Sequence, residues 1–392
     1  MTTAHHAPEA GTSRTSLAVK ASDSRRTGLY GASTVLLGNS VSLLGISWDI
    51  QWHEDVGPDT FFTLPHLLLY SGSAIAGLAS LAMVLIATSA QRAGRRMDPV
   101  SGGRPVRVLG GVFRAPLGYL VTGTGSAMFL LFGLLDLWWH SLYGFDAVLD
   151  SPPHVGLFLS ISTSMAGSLI VFAAARGTRW GVAGLVVGIP VLITFGPLSA
   201  AAFDSLSLPF DPRLVGAIMF TVLLLLTAVF TTGRQNIVWA IAVTMGAMQA
   251  FLWWFSPVAA HAYAASVGLP LRDNLDGEAP TLPSNMPMFL LVASAVVVAL
   301  WRLGRKQGWS GRIVPQLMGT AAGAVVGASL LVQNALLESE SVAPVELLLA
   351  TVVGALTGVL CGYLAARFSV LLREDVPTTV PATTPAVATK GL

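Results

Sequence analysis

Polar residues punctuate this chain sparsely, and between them lie long apolar runs. Ten such segments are read, at 28–50, 61–90, 114–140, 154–176, 180–202, 213–232, 235–257, 285–303, 313–336 and 344–371. Most are close to or above the ~20 residues that a helix needs to span the hydrocarbon core of a bilayer. None alternates apolar and polar positions with the period of two that a membrane barrel strand requires, so all are predicted to be helices. The expected fold class is therefore all-α, a polytopic integral membrane helical bundle of about ten transmembrane helices.

The connections between the segments carry the orientation. Lys and Arg gather on alternate ones: Arg14, Lys20, Arg25 and Arg26; Arg92, Arg95, Arg96, Arg104 and Arg107; Arg176 and Arg179; Arg234; Arg302, Arg305, Lys306 and Arg312; Arg367 and Arg373. With ten spans all of these fall on one side, which the positive-inside rule makes cytoplasmic. The opposite side holds mainly acids: Glu54, Asp55, Asp59, Asp146, Asp150, Asp204, Asp211, Asp273, Asp276, Glu278, Glu338 and Glu340. Its exceptions are Arg213 and Arg272. Both termini are thus expected in the cytoplasm, with the acidic loops facing outward from the cell membrane. Residues 1–27 read as a polar tail without the apolar core of a cleavable signal peptide. Residues 373–392, rich in Pro, Thr, Ala and Val, read as a flexible tail. The connection 91–113 is basic and Gly-rich, and the outer loop 258–284, with Pro270, Pro280 and Pro283, is placed over the outer mouth.

Composition agrees with this pattern. The chain is 53% hydrophobic and only 11% charged, against about 25% charge in soluble proteins, and its mean hydropathy is +0.69. A soluble enzyme is excluded. The single cysteine, Cys361, excludes a disulfide framework and any thiolate-based zinc or iron–sulfur site. A net charge of +2 gives no nucleic-acid footprint. No Walker motif, dinucleotide fingerprint, nucleophile elbow or His-Glu-x-x-His motif occurs.

The candidate chemistry is a duplicated constellation. Its first copy is Asp49, His53, Gly57, Asp59 and then Pro65-His66; its second is Asp136, His140, Gly144, Asp146 and then Pro153-His154. In both, Asp to His is four residues, His to Gly four more, and Gly to Asp two. Residues four apart share a helix face, so each Asp/His pair points one way at the outer end of its span. A short loop then brings the next helix back alongside, with its Pro in the first turn and its His facing the pair. Each hairpin presents one carboxylate and two imidazoles. An Asp this deep costs up to ~3 kcal/mol unless partnered. Metal binding is favoured over a purely structural polar network, with Asp49, His53, His66, Asp136, His140 and His154 as ligands. Two imidazoles and a carboxylate suit Fe(II) or Zn(II), and imidazole-rich sites also suit copper. Either two mononuclear sites or one shared dinuclear centre fits the spacing. Trp48, Trp52, Trp138 and Trp139 are assigned to the aromatic belt of the interface.

This ligand spacing resembles the C subunit of particulate methane and ammonia monooxygenases, a membrane-helical copper family. The resemblance covers about residues 28–175 and rests on spacing alone. It implies that Asp49, His53 and His66 match the family's first copper triad, and that Asp136, His140 and His154 match the position of its second set.

The remainder divides into a six-helix region, 177–372, following the four-helix metal-binding region, 28–176. The end of span 7, with Phe251 and Phe255 in place of Asp136 and His140, echoes the second copy and reads as a degenerate third hairpin without ligands. His261, Met286 and Met288 have the chemistry of a soft copper site, but are read as interface and packing residues. Gly319, Gly323 and Gly327, and Gly354, Gly358 and Gly362, form ladders that signify close helix packing, structural or at an oligomer face. Asp204 and Asp211 are read as solvated loop residues. Three functions compete: a copper-dependent membrane oxidase component acting on small apolar substrates; a non-catalytic protein that binds, delivers or transports copper or another metal; and a metal-independent structural or transporter-like protein. The partners expected are the lipid bilayer and either other membrane subunits or further copies of the chain.

Overall fold

The computed structural model describes residues 11–57, 59–95, 97–144, 150–203, 205–206, 208, 210–273 and 278–374, with residues 11–25 and 374 described by their backbone alone. Arg96, Asp146, Asp204, Asp276 and the tail beyond 374 lie outside the described residues.

Helices dominate the described chain. In order they are α1 (Gly11–Asp55), α2 (Leu64–Arg92), α3 (Leu117–Tyr143), α4 (Pro152–Ala174), α5 (Arg179–Ala200), α6 (Pro212–Thr232), α7 (Ile237–Val267), the single turn α8 (Thr281–Ser284), α9 (Leu290–Lys306), α10 (Ile313–Leu337) and α11 (Pro344–Glu374). Among the described residues, nine helices are long and apolar enough to cross a membrane. The segment expected as the eighth span forms α9, which at 17 residues is shorter than these nine. The polar stretch expected as a tail continues α1 backward to Gly11.

Two departures have local causes. The helix α7 runs to Val267 instead of ending near 257, because the Ala-rich segment after Pro257 favours helix. It stops at Gly268, whose φ of 71° supplies the left-handed C-cap. The connection 91–113 contains strand β1 (Pro105–Val108), which pairs antiparallel with β2 (Phe113–Pro116), Arg107 opposite Arg114. The turn between them uses Gly110 and Gly111, both at positive φ.

Neighbouring helices pack as hairpins, α1 on α2, α3 on α4 and α10 on α11. The core is deepest at α4, α5 and α6, where Phe158, Ile161, Met165, Ile189, Ile193, Phe195, Val222, Leu225 and Leu226 are buried. The opposite condition holds on α11, where Leu348, Leu356, Leu360 and Leu371 stay more than half exposed, as a lipid-facing surface would. The two glycine ladders face each other inside the chain: a Cβ added at Gly319, Gly323, Gly354 or Gly358 would overlap a backbone carbonyl of the other helix. They build an internal contact, so they are not available as an oligomer face.

Candidate metal centres

The first cluster forms where α1 hands over to α2. Asp49 and His53 lie one turn apart near the end of α1, and the chain reverses through Gly57 at a φ of 98°. It enters α2 with Pro65 in the first turn. The two helices approach closely, since a Cβ on Gly45 would run into the backbone of Leu69. His66 Nε2 therefore reaches 3.1 Å from Asp49 Oδ1 and 3.4 Å from Asp59 Oδ2, while His53 Nε2 lies 3.1 Å from the same Asp59 oxygen. Asp49, His53, Asp59 and His66 each offer a ligand atom, all within 4.8 Å of one another.

The second cluster repeats the device at α3 and α4. Gly125 and Gly167 let these helices touch backbone to backbone. His140 Nε2 lies 3.4 Å and His154 Nε2 3.6 Å from Asp136 Oδ1. These three again offer ligand atoms within 4.8 Å. The structure thus brings together all six residues expected from the spacing, in two groups of three, and adds Asp59 to the first.

Three of the four imidazoles are oriented from behind. His66 Nδ1 sits 3.0 Å from the Thr60 carbonyl and His140 Nδ1 2.9 Å from the Gly144 carbonyl. A carbonyl only accepts, so Nδ1 carries the proton in both rings. His154 Nδ1 faces the Ser151 hydroxyl at 3.0 Å. In the neutral rings of His66 and His140, Nε2 then presents a lone pair toward a carboxylate. Two electron-rich atoms at that distance repel unless a cation, either a proton or a metal ion, lies between them. Metal-ligating histidines are commonly held this way, the far N–H on a carbonyl.

The distances test the fit further. With metal–ligand bonds of about 2.0–2.1 Å in tetrahedral geometry, neighbouring ligand atoms lie about 3.3 Å apart. The Nε2–carboxylate distances of 3.1–3.6 Å straddle that value. Asp49 Oδ1 is buried and lies 3.1 Å from His66 Nε2. The donor sets therefore fit a divalent transition metal. Asp59 lies in the loop between the helices with its side chain only 2% exposed. Burial pushes its carboxyl up, but the His53 hydrogen bond, the His66 imidazole and the Thr63 hydroxyl outweigh this and hold it below the usual carboxylate value.

Both clusters line one cavity of about 350 Å³. Its mouth carries Glu54, Arg213, Arg272, Thr281 and Asn285, and its floor is apolar, with Ile46, Leu69, Phe129, Leu157 and Ile161. The segment after α7 does reach this mouth: Arg272 donates its backbone N–H to the Asp55 carbonyl at 2.7 Å. Tyr70 also lines the cavity and stacks on His66 at 5.8 Å between ring centres.

Other expectations are revised. Trp52 is not a belt residue; it is 1% exposed and packs in a small internal cluster with Val56, Ala264 and Tyr263. Trp48 meets Phe255 and Tyr263 edge-on, so it too faces α7. Trp138 is the exposed one. His261 bonds Asp55 Oδ2 at 2.8 Å, and Gln51 donates to the other Asp55 oxygen at 2.8 Å. His261 thereby fastens α7 to α1 beside the first cluster. Asp211 caps α6, its carboxylate accepting from the Arg213 N–H. Asp59 carried a legible signal, the Gly-x-Asp shared by both copies; Tyr70, Arg213 and Arg272 carried none, since they reach the cavity through packing. Comparisons with protein-family models, with curated proteins and with solved structures found no match for this chain, so the monooxygenase resemblance rests on the quoted residues alone.

Proposed function

We propose that this chain is an integral membrane protein that holds two metal ions, one in each hairpin, at the outward end of the bundle. Copper is the metal proposed, with iron and zinc as alternatives, and Asp49, His53, Asp59 and His66 bind one ion while Asp136, His140 and His154 bind the other. The observation that carries this reading is the orientation of the imidazoles: Nδ1 of His66 and of His140 is tied back to a carbonyl, and each Nε2 lies 3.1–3.6 Å from a buried carboxylate oxygen. The role proposed is that of a component of a copper-dependent oxidase of small substrates, as in the C subunit that the spacing resembles. Bound copper would supply one-electron redox chemistry; the chain orients the imidazoles, sets the carboxylates against them and surrounds the site with apolar walls. An ion held here has no polar route onward among the cavity-lining residues, because the floor is apolar. That favours holding over transport.

Elemental analysis of the purified protein tests the reading, with about two ions per chain expected. Less than about 0.2 of any transition metal, even after incubation with Cu(II), would refute it. His140→Ala is expected to remove about half of the metal and leave the first site's electron paramagnetic resonance spectrum intact, since distant sites behave additively. Strong magnetic coupling in the Cu(II)-loaded protein would instead mark ions ~3.5–4 Å apart, a dinuclear centre.

The proposed topology has ten spans, α9 included, with both ends in the cytoplasm. On a Cys361→Ser background, a cysteine at position 95 should react with membrane-impermeant reagent only after the inner face is opened. Labelling of that cysteine from outside intact cells would overturn the orientation.

A further inference from the structure

Arg213 and Arg272 are the two cations of a side that otherwise carries acids, and they come from different elements, the first turn of α6 and the segment after α7. The fold nevertheless brings both to the mouth of the cavity that the two clusters share. Both are exposed, so they form its rim. The Arg272 position is built. Its backbone N–H is tied to the Asp55 carbonyl, and its guanidinium lies so close over Gly57 that a Cβ there would overlap it. Among the described residues no carboxylate lies within ion-pair distance of this guanidinium.

Charge points to what the rim meets. Four carboxylates, Asp49, Glu54, Asp59 and Asp136, and two guanidiniums line the cavity. Guanidinium stays charged throughout the accessible pH range. The carboxylates of the lining outnumber its guanidiniums, and two bound divalent ions with neutral imidazoles would turn that balance positive. Such a cavity favours an anion. Arginine's planar fork matches a carboxylate with two parallel hydrogen bonds. Below the clusters the lining turns apolar, at Ile46, Leu69, Phe129 and Ile161, so room exists for an apolar body beneath an anionic head.

We infer that this cavity binds a small carboxylate-bearing amphiphile, its head held by Arg272 at the rim and its apolar body directed to the floor. The inference rests on the metal reading of the same cavity and names the substrate class for it.

Calorimetric titration of the metal-loaded protein with hexanoate and with 1-hexanol tests it, the metal content being measured on the same sample. Hexanoate should bind at least about tenfold more tightly than 1-hexanol, as a charge-assisted bidentate contact allows. Arg272→Gln should abolish that preference, and Arg272→Lys should restore part of it. Hexanoate binding no tighter than 1-hexanol would overturn the inference, as would unchanged hexanoate affinity in Arg272→Gln. Circular dichroism on each variant separates misfolding from loss of binding, and Arg272→Gln, an exposed site that keeps its backbone bond, is the decisive one. A sample free of metal overturns the metal reading by its own measurement; Arg272-dependent hexanoate binding in that sample would still support the anion site, and its absence would sink both.

Discussion

The double substitution His53→Ala/His66→Ala is expected to eliminate one bound ion and leave the other in place. Each imidazole supplies a ligand atom to the first cluster alone: His53 lies against Asp59, and His66 bridges Asp49 and Asp59. Removing both leaves two carboxylates, a set that suits hard cations more than copper. The helix pair itself should survive, because α1 and α2 are joined by close small-residue packing at Gly38, Gly45 and Gly72. Metal analysis should therefore fall from about two ions to one with helical content unchanged, and retention of two would dispose of the site. A milder change probes the orientation argument. Ser151→Ala removes the group behind His154 Nδ1 and should weaken the second ion by about 10–100-fold, the usual cost of losing such a support. Acid should release both ions. Metal needs neutral imidazole, so each proton taken up by a histidine competes with it. Loading should fall as the pH drops from about 8 to about 5, as protons take the imidazole nitrogens from the metal. Asp59, held below the usual carboxylate value, stays ionised through that range, so the imidazoles let go first. Loading that stays level down to pH 4 would mean that imidazole is not the ligand.

Gly358→Leu is expected to cause the largest loss of stability. Gly358 on α11 meets the Gly319 carbonyl of α10, and no Cβ fits between them. The obstruction is backbone, so no side chain can swing aside; the helices must separate along the whole ladder. Overpacking a well-filled contact costs typically 1–3 kcal/mol, and this rigid case belongs at or above about 3 kcal/mol. Thermal unfolding in detergent should show a clear fall in Tm. Val359→Leu, one residue on but 40% exposed, should show none. Neither change should alter metal content, since no α10 or α11 residue lines the metal cavity. Equal stability of Gly358→Leu and the parent would refute the internal packing.

Much of the molecule follows from one-dimensional pattern. Apolar runs of near-bilayer length predict where the helices lie, because backbone groups removed from water must bond within their own segment. Helical periodicity and loop length then predict which side chains meet: Asp136 with His140 at four residues, and His154 across a short hairpin. These relations are local, and the cluster geometry repeats them. Boundaries were less legible. The continuation of α7 to Val267 depended on the Ala-rich stretch and the glycine that ends it, and α9 is shorter than its apolar run.

What the tertiary structure alone decided concerns contacts between distant segments. Trp52 has the look of an interface residue, yet α7 packs over it through Tyr263 and buries it. His261, far along the chain, becomes the partner of Asp55 and fixes α7 beside the first cluster. Arg213 and Arg272 break the acidic pattern of their loops, but nothing in their neighbours indicates that both reach one rim. Spacing within a helix is set by bond geometry and can be read from residue numbers. Which faces of α1, α5, α6 and α7 meet is set by the summed packing of many side chains, and that sum exists only once the bundle has closed. The sequence by itself determined the helices, the two hairpins and the Asp/His groups they bring together; only the packing of the whole bundle brought both hairpins to one cavity and put Arg213 and Arg272 at its edge.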